Sequence, residues 1–247
     1  MGLARALQKA GYGTRRRAET LIAQGRVKLD AEICEDPRAM AKPDSVIELD
    51  GKPLVVLPRR YFAFHKPPRV VCTAVDGGTR RLVADFLPGD VPGLAPCGRM
   101  DGKTTGLLLV SNDPVWNNLL ATSPGLEEEY RVQIKGELND LELDVISTGI
   151  QLPNMGLFRP VSMRIVEIMH GRTVLTMVIR KSKPRQIRRL FSTFRHQIIL
   201  LRRIRIGDVR LGDLPVGTLT ELSHREVDSL RTMAETVSAR TADDPRA

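Results

Sequence analysis

Two spacings of apolar residues divide this chain. Near the N-terminus the spacing is helical. Leu3, Leu7 and Ala10 share one face before Gly11 and Gly13, and after Thr14, which suits a helix cap, Ala18, Leu21 and Ile22 line a second helix ending near Gly25. Val27 and Leu29 then alternate as in a strand. Val46-Ile47-Glu48-Leu49 and Leu54-Val55-Val56 flank Asp50-Gly51, which predicts a hairpin whose Pro53 belongs on an edge. From residue 61 onward the period becomes two, and residues 61–65, 107–110, 130–134, 163–168, 174–179 and 198–201 read as strands of a mixed, largely antiparallel sheet. Asn112 or Asp113 can cap a helix opening at Pro114, and Ser223 with Glu226 forms a capping box for the last helix. The fold class expected is α+β, with a helix-helix-strand unit over residues 1–58, a larger sheet domain over 61–238 and a disordered tail over 239–247.

Charge changes this picture by adding a partner. The 247 residues carry a formal net charge of +9, and residues 181–210 alone hold ten Lys or Arg against one acid. Positive charge so focused points to a polyanion, nucleic acid before a membrane surface. Three cysteines, Cys34, Cys72 and Cys97, show neither a disulfide framework nor metal-ligand spacing, so a reducing cytoplasm and no metal are expected. No apolar run has membrane-spanning length, and no nucleotide or other cofactor fingerprint is present. The second helix also breaks a local rule, because Arg15, Arg16 and Arg17 occupy a first turn where the helix dipole favours anions. Guanidinium groups beside free helix amides suit phosphates, although a solvated arginine cluster accounts for the same pattern.

The segment Gly98-Arg99-Met100-Asp101-Gly102-Lys103-Thr104-Thr105-Gly106 places an acid in a glycine-rich basic loop just before an apolar strand. Spacing alone leaves a turn aspartate bonded to its own backbone as the ordinary alternative. A phosphate-binding loop is excluded, because Gly98 and Gly102 enclose three residues instead of four and Lys103 leads into a strand rather than a helix.

Wider context identifies the segment. Gly13 through Ile22, Gly25-Arg26-Val27 and Asp50-Gly51-Lys52-Pro53-Leu54 resemble an S4-type RNA-binding domain. The Asn-Gly turn usual there is Asp30-Ala31 in this chain. The Asp101 segment, Leu107 through Asp113, Glu129-Tyr130-Arg131-Val132, Arg185-Gln186-Ile187-Arg188-Arg189-Leu190 and Ile206-Gly207 through Leu214 resemble, in order and spacing, the RsuA/RluB-type rRNA pseudouridine synthases. Arg69, Ser182, Pro184 and Arg195 stand where that family usually has glycine, or glycine and His or Asn.

The resemblance implies a pseudouridine synthase domain acting on ribosomal RNA or a ribosome assembly intermediate, the large subunit favoured over the small. It implies Asp101 as the catalytic residue, Arg188 as its ionic partner and Tyr130 as the active-site aromatic. RNA contacts are expected at Arg15, Arg16, Arg17, Arg26, Lys66, Arg99, Arg185 and Arg189, Arg99 by its match to the motif arginine and Arg15, Arg16 and Arg17 by their place at a helix N-terminus. A monomer is the expected state. The alternative class is a non-catalytic rRNA-binding assembly factor built on the same fold.

Overall fold

The computed structural model describes residues 1–42, 44–72, 80–180 and 185–242, the side chains of 237–242 excepted. The N-terminal unit comprises α1 (Leu3–Ala10), α2 (Arg15–Ala23), β1 (Val27–Leu29), β2 (Glu32–Ile33), β3 (Ile47–Leu49) and β4 (Lys52–Pro53), its strands ordered β2-β1-β3-β4. Leu3, Leu7, Ala18, Leu21, Ile22 and Val27 form its core, as the helical spacing predicts. The Thr14 hydroxyl accepts from the Arg17 amide at 3.3 Å, so the expected cap is present.

Two details of this unit depart from the sequence pattern. The strand expected over 54–56 does not form, because the Asp50-Gly51 turn sets Lys52 and Pro53 opposite Leu49 and Glu48 and pairing ends there. Val55 and Val56 are left 57% and 74% exposed on the way to the next domain. The β1–β2 turn, in contrast, keeps the geometry of an Asn-Gly hairpin, with Asp30 at φ 52° and Ala31 at φ 71°. Asp30 is held there by its carboxylate, which accepts from the Val46 amide at 2.8 Å and the Ser45 hydroxyl at 3.0 Å. No such bond offsets the left-handed backbone of Ala31. Ala31→Gly is therefore expected to stabilise the protein by about 0.5–1 kcal/mol, read as a rise of roughly 2 °C in thermal midpoint; an unchanged or lower midpoint would show that the turn is unstrained.

The second domain contains β5 (Tyr61–Lys66), β6 (Ala95–Pro96), β7 (Thr105–Ser111), α3 (Pro114–Thr122), β8 (Glu127–Lys135), α4 (Asp140–Thr148), β9 (Ile150–Leu152), β10 (Gly156–Phe158), β11 (Ser162–Met169), β12 (Arg172–Arg180), α5 (Gln186–Thr193), β13 (Ile198–Ile206), β14 (Val209–Arg210), β15 (Leu219–Glu221) and α6 (His224–Ala242). Among the described residues its main sheet has the order β11-β12-β8-β13-β7-β5-β15, with β14 paired to β13 and β6 to β7. Among the described residues β13 with β7 is the one parallel ladder of this sheet. Asp113 caps α3 by accepting from the Val115 and Trp116 amides, and Ser223 with Glu226 caps α6. The tail expected from residue 239 overlaps the end of α6, and from 243 it lies outside the described residues.

One face of the sheet carries Tyr130, Val132, Leu175, Met177 and Leu201, covered by Ile187, Leu190 and Phe191 of α5 and Ile146 of α4. On the other face α3 and α6 bury Leu107, Leu109 and Ile206 against Trp116, Leu120 and Leu230. Residues 57–60 clamp the N-terminal unit onto this frame. Asn112 donates to the Pro58 carbonyl at 3.0 Å and accepts from the Arg60 amide at 2.9 Å, while Arg59 bridges the carbonyls of Lys9 and Asn112. Gly93 packs so closely that a Cβ there would lie 1.9 Å from the Gly11 carbonyl oxygen. Between the two units lies a cleft of about 800 Å³ that reaches from Arg17 and Arg26 to Cys72 and Gly98, beside the Asp101 loop.

Candidate active site

Asp101 lies in the loop that feeds β7, four residues before Thr105, and its carboxylate is surrounded by donors. One oxygen accepts from the backbone amides of Lys103 at 2.9 Å and Thr104 at 3.0 Å, and the other accepts from the Thr104 hydroxyl at 2.5 Å. Arg188, in the first turn of α5, brings its Nε to 3.4 Å of that second oxygen and donates from Nη2 to the Thr104 hydroxyl at 3.2 Å. The helix presents Arg188 here because Ile187, Leu190 and Phe191 anchor the adjoining side in the core and leave Arg188 on its rim. Burial pushes the Asp101 carboxyl upward, but the Thr104 hydroxyl, the Arg188 charge and the Lys103 amide outweigh it and hold the group below the usual carboxylate range. The result is an ionised, partly exposed carboxylate whose side chain keeps 21% of its accessible surface.

Behind the loop, β-register lines up a second set of polar groups. Lys66 of β5, Gly106 of β7, Arg203 of β13 and Tyr130 of β8 are successive register partners, so their side chains share one face of the sheet. Tyr130 is buried, and its hydroxyl donates to Glu128 at 2.7 Å. Arg203 donates to the other Glu128 oxygen at 2.8 Å and, through Nε, to the Leu107 carbonyl at 2.8 Å. Burial first, and then the Glu128 charge, push the Tyr130 hydroxyl far above its ordinary value. That group is a donor at any working pH and not a base.

Lys66 sits differently from its expected place on a phosphate. It is wholly buried, and its ammonium donates to the Pro67 and Val70 carbonyls at 2.9 and 2.8 Å, so this arrangement offers it no external anion. Burial lowers its pKa to about 8. It staples the 67–70 turn, whose Arg69 amide donates to the Gly102 carbonyl at 2.6 Å and so backs the Asp101 loop. Arg69 holds φ 64° and Arg195 holds φ 60°, left-handed backbone at two positions where the resembled family has glycine.

A family model described as RNA pseudouridylate synthase matches residues 60–193, and one described as S4 domain matches residues 1–47. This chain belongs to the RNA pseudouridylate synthase family. An uncharacterized RNA pseudouridine synthase of Aquifex aeolicus (strain VF5) is 31% identical to it over 227 residues, 91% of each chain. Ribosomal large subunit pseudouridine synthase B of Escherichia coli (strain K12) is 32% identical over 246 residues, covering 94% of this synthase and 83% of that protein. A crystal structure of a pseudouridylate synthase superposes with a TM-score of 0.64 at 25% identity, covering 92% and 98% of the two chains.

The structure brings Asp101 and Arg188 into contact and sets Tyr130 in the register row of Lys66, Gly106 and Arg203, but it scatters the expected RNA contacts of the synthase. Arg99, Arg185 and Arg189 are exposed around the Asp101 loop and the start of α5. Arg16 and Arg17 are exposed on α2, Arg17 facing the cleft between the domains. Arg15 and Arg26 instead hold partners within their own unit. Arg15 reaches Glu19 at 2.9 Å, and Arg26 grips both oxygens of Asp50 at 2.8 and 2.7 Å. Three groups escaped the sequence reading: Thr104, Glu128 and Arg203. A signal existed for the last two, since strict alternation through Glu128, Tyr130, Val132 and Ile134, and through Leu201 and Arg203, puts both charges on an apolar face.

Proposed function

We propose that this synthase converts a uridine of large-subunit ribosomal RNA to pseudouridine, with Asp101 as the catalytic residue, Arg188 as the cation that keeps it ionised and Tyr130 as the aromatic wall for the base. The observation that carries the reading is the Asp101 carboxylate itself, charged, partly exposed and fixed by two amides, a hydroxyl and a guanidinium. The reaction breaks the bond between ribose C1′ and uracil N1, turns the base and joins C1′ to C5. N1 gains a proton and C5 loses one, so the change is an isomerisation. Attack on C1′ and removal of a proton from C2′ ask the same of Asp101, an ionised oxygen beside the sugar. The uridine must leave its stack to turn, which calls for a pocket and for phosphate contacts that hold the opened strand. Arg17, Arg99, Arg185 and Arg189, all exposed, are the residues to which we assign those contacts. Arg15, Arg16 and Arg26 contribute from the N-terminal unit, Arg15 and Arg26 by exchanging a carboxylate for a phosphate.

The preference for the large subunit rests on relatives named for it, such as the E. coli protein above. The proposal extends to a monomeric cytoplasmic enzyme acting on free rRNA or on an assembling particle. It is tested with unmodified rRNA tritiated at uracil C5. Release of tritium by the wild type and none by Asp101→Ala is the expected result. Release by neither protein from either ribosomal RNA would return the chain to the class of non-catalytic assembly factors.

A further inference from the structure

The face of the sheet turned away from Asp101 carries a second basic feature, which the catalytic site does not use. Side chains alternate along a strand, so the register row beside Lys66, Gly106, Arg203 and Tyr130 points the opposite way. That row runs Thr105 of β7, Arg202 of β13, Arg131 of β8, Thr176 of β12 and Arg164 of β11. Three arginines thus stand in one line across four adjacent strands, two of them, Arg131 and Arg202, directly opposite each other. Like charges at directly opposed positions destabilise a sheet. Among the described residues none of the three has an ion pair, and the Arg202 Nε is buried with no hydrogen-bond partner. A solvated surface arginine would not bury that atom. The neighbouring acids do not relieve the row, because Glu127 and Glu129 are held by Arg205 at 3.5 and 2.9 Å.

We propose that this row is a second anion-binding surface, one that holds backbone phosphates of an RNA segment flanking the target uridine. The proposal rests on RNA being the substrate. Strands about 4.8 Å apart place Arg202 and Arg131 as neighbours and Arg164 on the order of 10 Å beyond, a line suited to a polymer more than to one small anion. The Thr176 hydroxyl lies between Arg131 and Arg164, and half-exposed Val174, Val178 and Leu200 border the row with apolar surface suited to sugar and base faces. A cleft of about 570 Å³ lined by Glu127, Arg205, Ser229, Thr232 and Thr236 borders the same face beside α6. RNA that reaches both faces of the sheet must wrap its edge, so the surface adds affinity without touching the reacting base.

The test uses the full chain and unmodified large-subunit rRNA transcript. Arg131 and Arg164 are exposed on the sheet surface, so Arg131→Ala with Arg164→Ala leaves the core unaltered. The double variant should bind the transcript about tenfold more weakly near 0.15 M salt, and the slope of log affinity against log salt should fall by about 2. Single-turnover tritium release at saturating enzyme should be unchanged. Arg131→Lys with Arg164→Lys should retain most of the affinity and the slope. Arg225→Ala with Arg231→Ala, which removes equal charge from exposed positions of α6, should change the slope less. An unaltered slope in the first pair, or an equal loss in the α6 pair, overturns the proposal. So would full rRNA binding combined with lost sedimentation on phosphatidylglycerol vesicles, which assigns the row to a membrane surface. If wild type binds rRNA but releases no tritium, the synthase reading fails while the salt slopes still decide this surface.

Discussion

Asp101→Asn should abolish tritium release while leaving the protein folded, lowering turnover by at least about 10⁴-fold, the scale of losing an essential base or nucleophile. The substitution is nearly isosteric. The amide oxygen can still accept from the Lys103 and Thr104 amides, which meet a single carboxylate oxygen in the native site. The amide nitrogen takes the place of the second oxygen, and there the hydroxyl of Thr104 can reverse and accept from it. Arg188 alone loses its counter-charge, and because its side chain keeps 17% of its surface it can still find water. The stability change should therefore remain within about 1 kcal/mol. Circular dichroism and the thermal midpoint would confirm the fold, and rRNA binding should persist. Residual turnover above about 1% of wild type would mean that Asp101 positions the RNA and that the chemistry belongs to another group.

The parts of this site that could be read in the sequence are those whose cause is local. Thr14, Asp113 and the Ser223–Glu226 pair cap their helices through bonds spanning two or three residues, and a local pattern reveals them. The Gln186–Thr193 helix announces its buried side by the spacing of Ile187, Leu190 and Phe191, and so places Arg188 on the rim. Lys66 misled because a lysine before two prolines looks like a surface residue. It lies on a strand buried on both faces, from Phe62 through Ala63, Phe64 and His65 to Lys66 itself, where every side chain is inward. The pairing of Arg26 could not be read for a different reason. Its carboxylate partner, Asp50, is 24 residues away and becomes a neighbour only when β1 and β3 pair. Helix α4 escaped because only Ile146 among its residues is buried, although Asn139 and Glu142 carried the capping-box signal. The arginine row on the far face is a property of register, which no single segment contains.

Register also creates the strongest test of what holds the catalytic strands together. Arg203→Met removes the 2.8 Å bonds to Glu128 and to the Leu107 carbonyl and leaves Glu128 with only the Tyr130 hydroxyl. Glu128 and Arg203 are 8% and 5% exposed, so little water can replace the lost guanidinium. Removing one partner of a buried ion pair costs about 3–5 kcal/mol, because a charge remains in a poor solvent. For a protein of this size that corresponds to a fall on the order of 10 °C in thermal midpoint. Glu128→Gln added to Arg203→Met should recover most of the loss, since glutamine can still accept from the Tyr130 hydroxyl and no unpaired charge is left. Thermal or urea unfolding of the four proteins in this cycle measures the coupling directly. A cost below about 1 kcal/mol for Arg203→Met, or a double variant less stable than Arg203→Met, would show that the pair is not what fixes β8 to β13. The pair joins the Asp101 strand to the Tyr130 strand through the Leu107 carbonyl. Arg203→Met should therefore also slow tritium release at temperatures where it remains folded, through a misplaced tyrosine ring rather than a lost proton carrier.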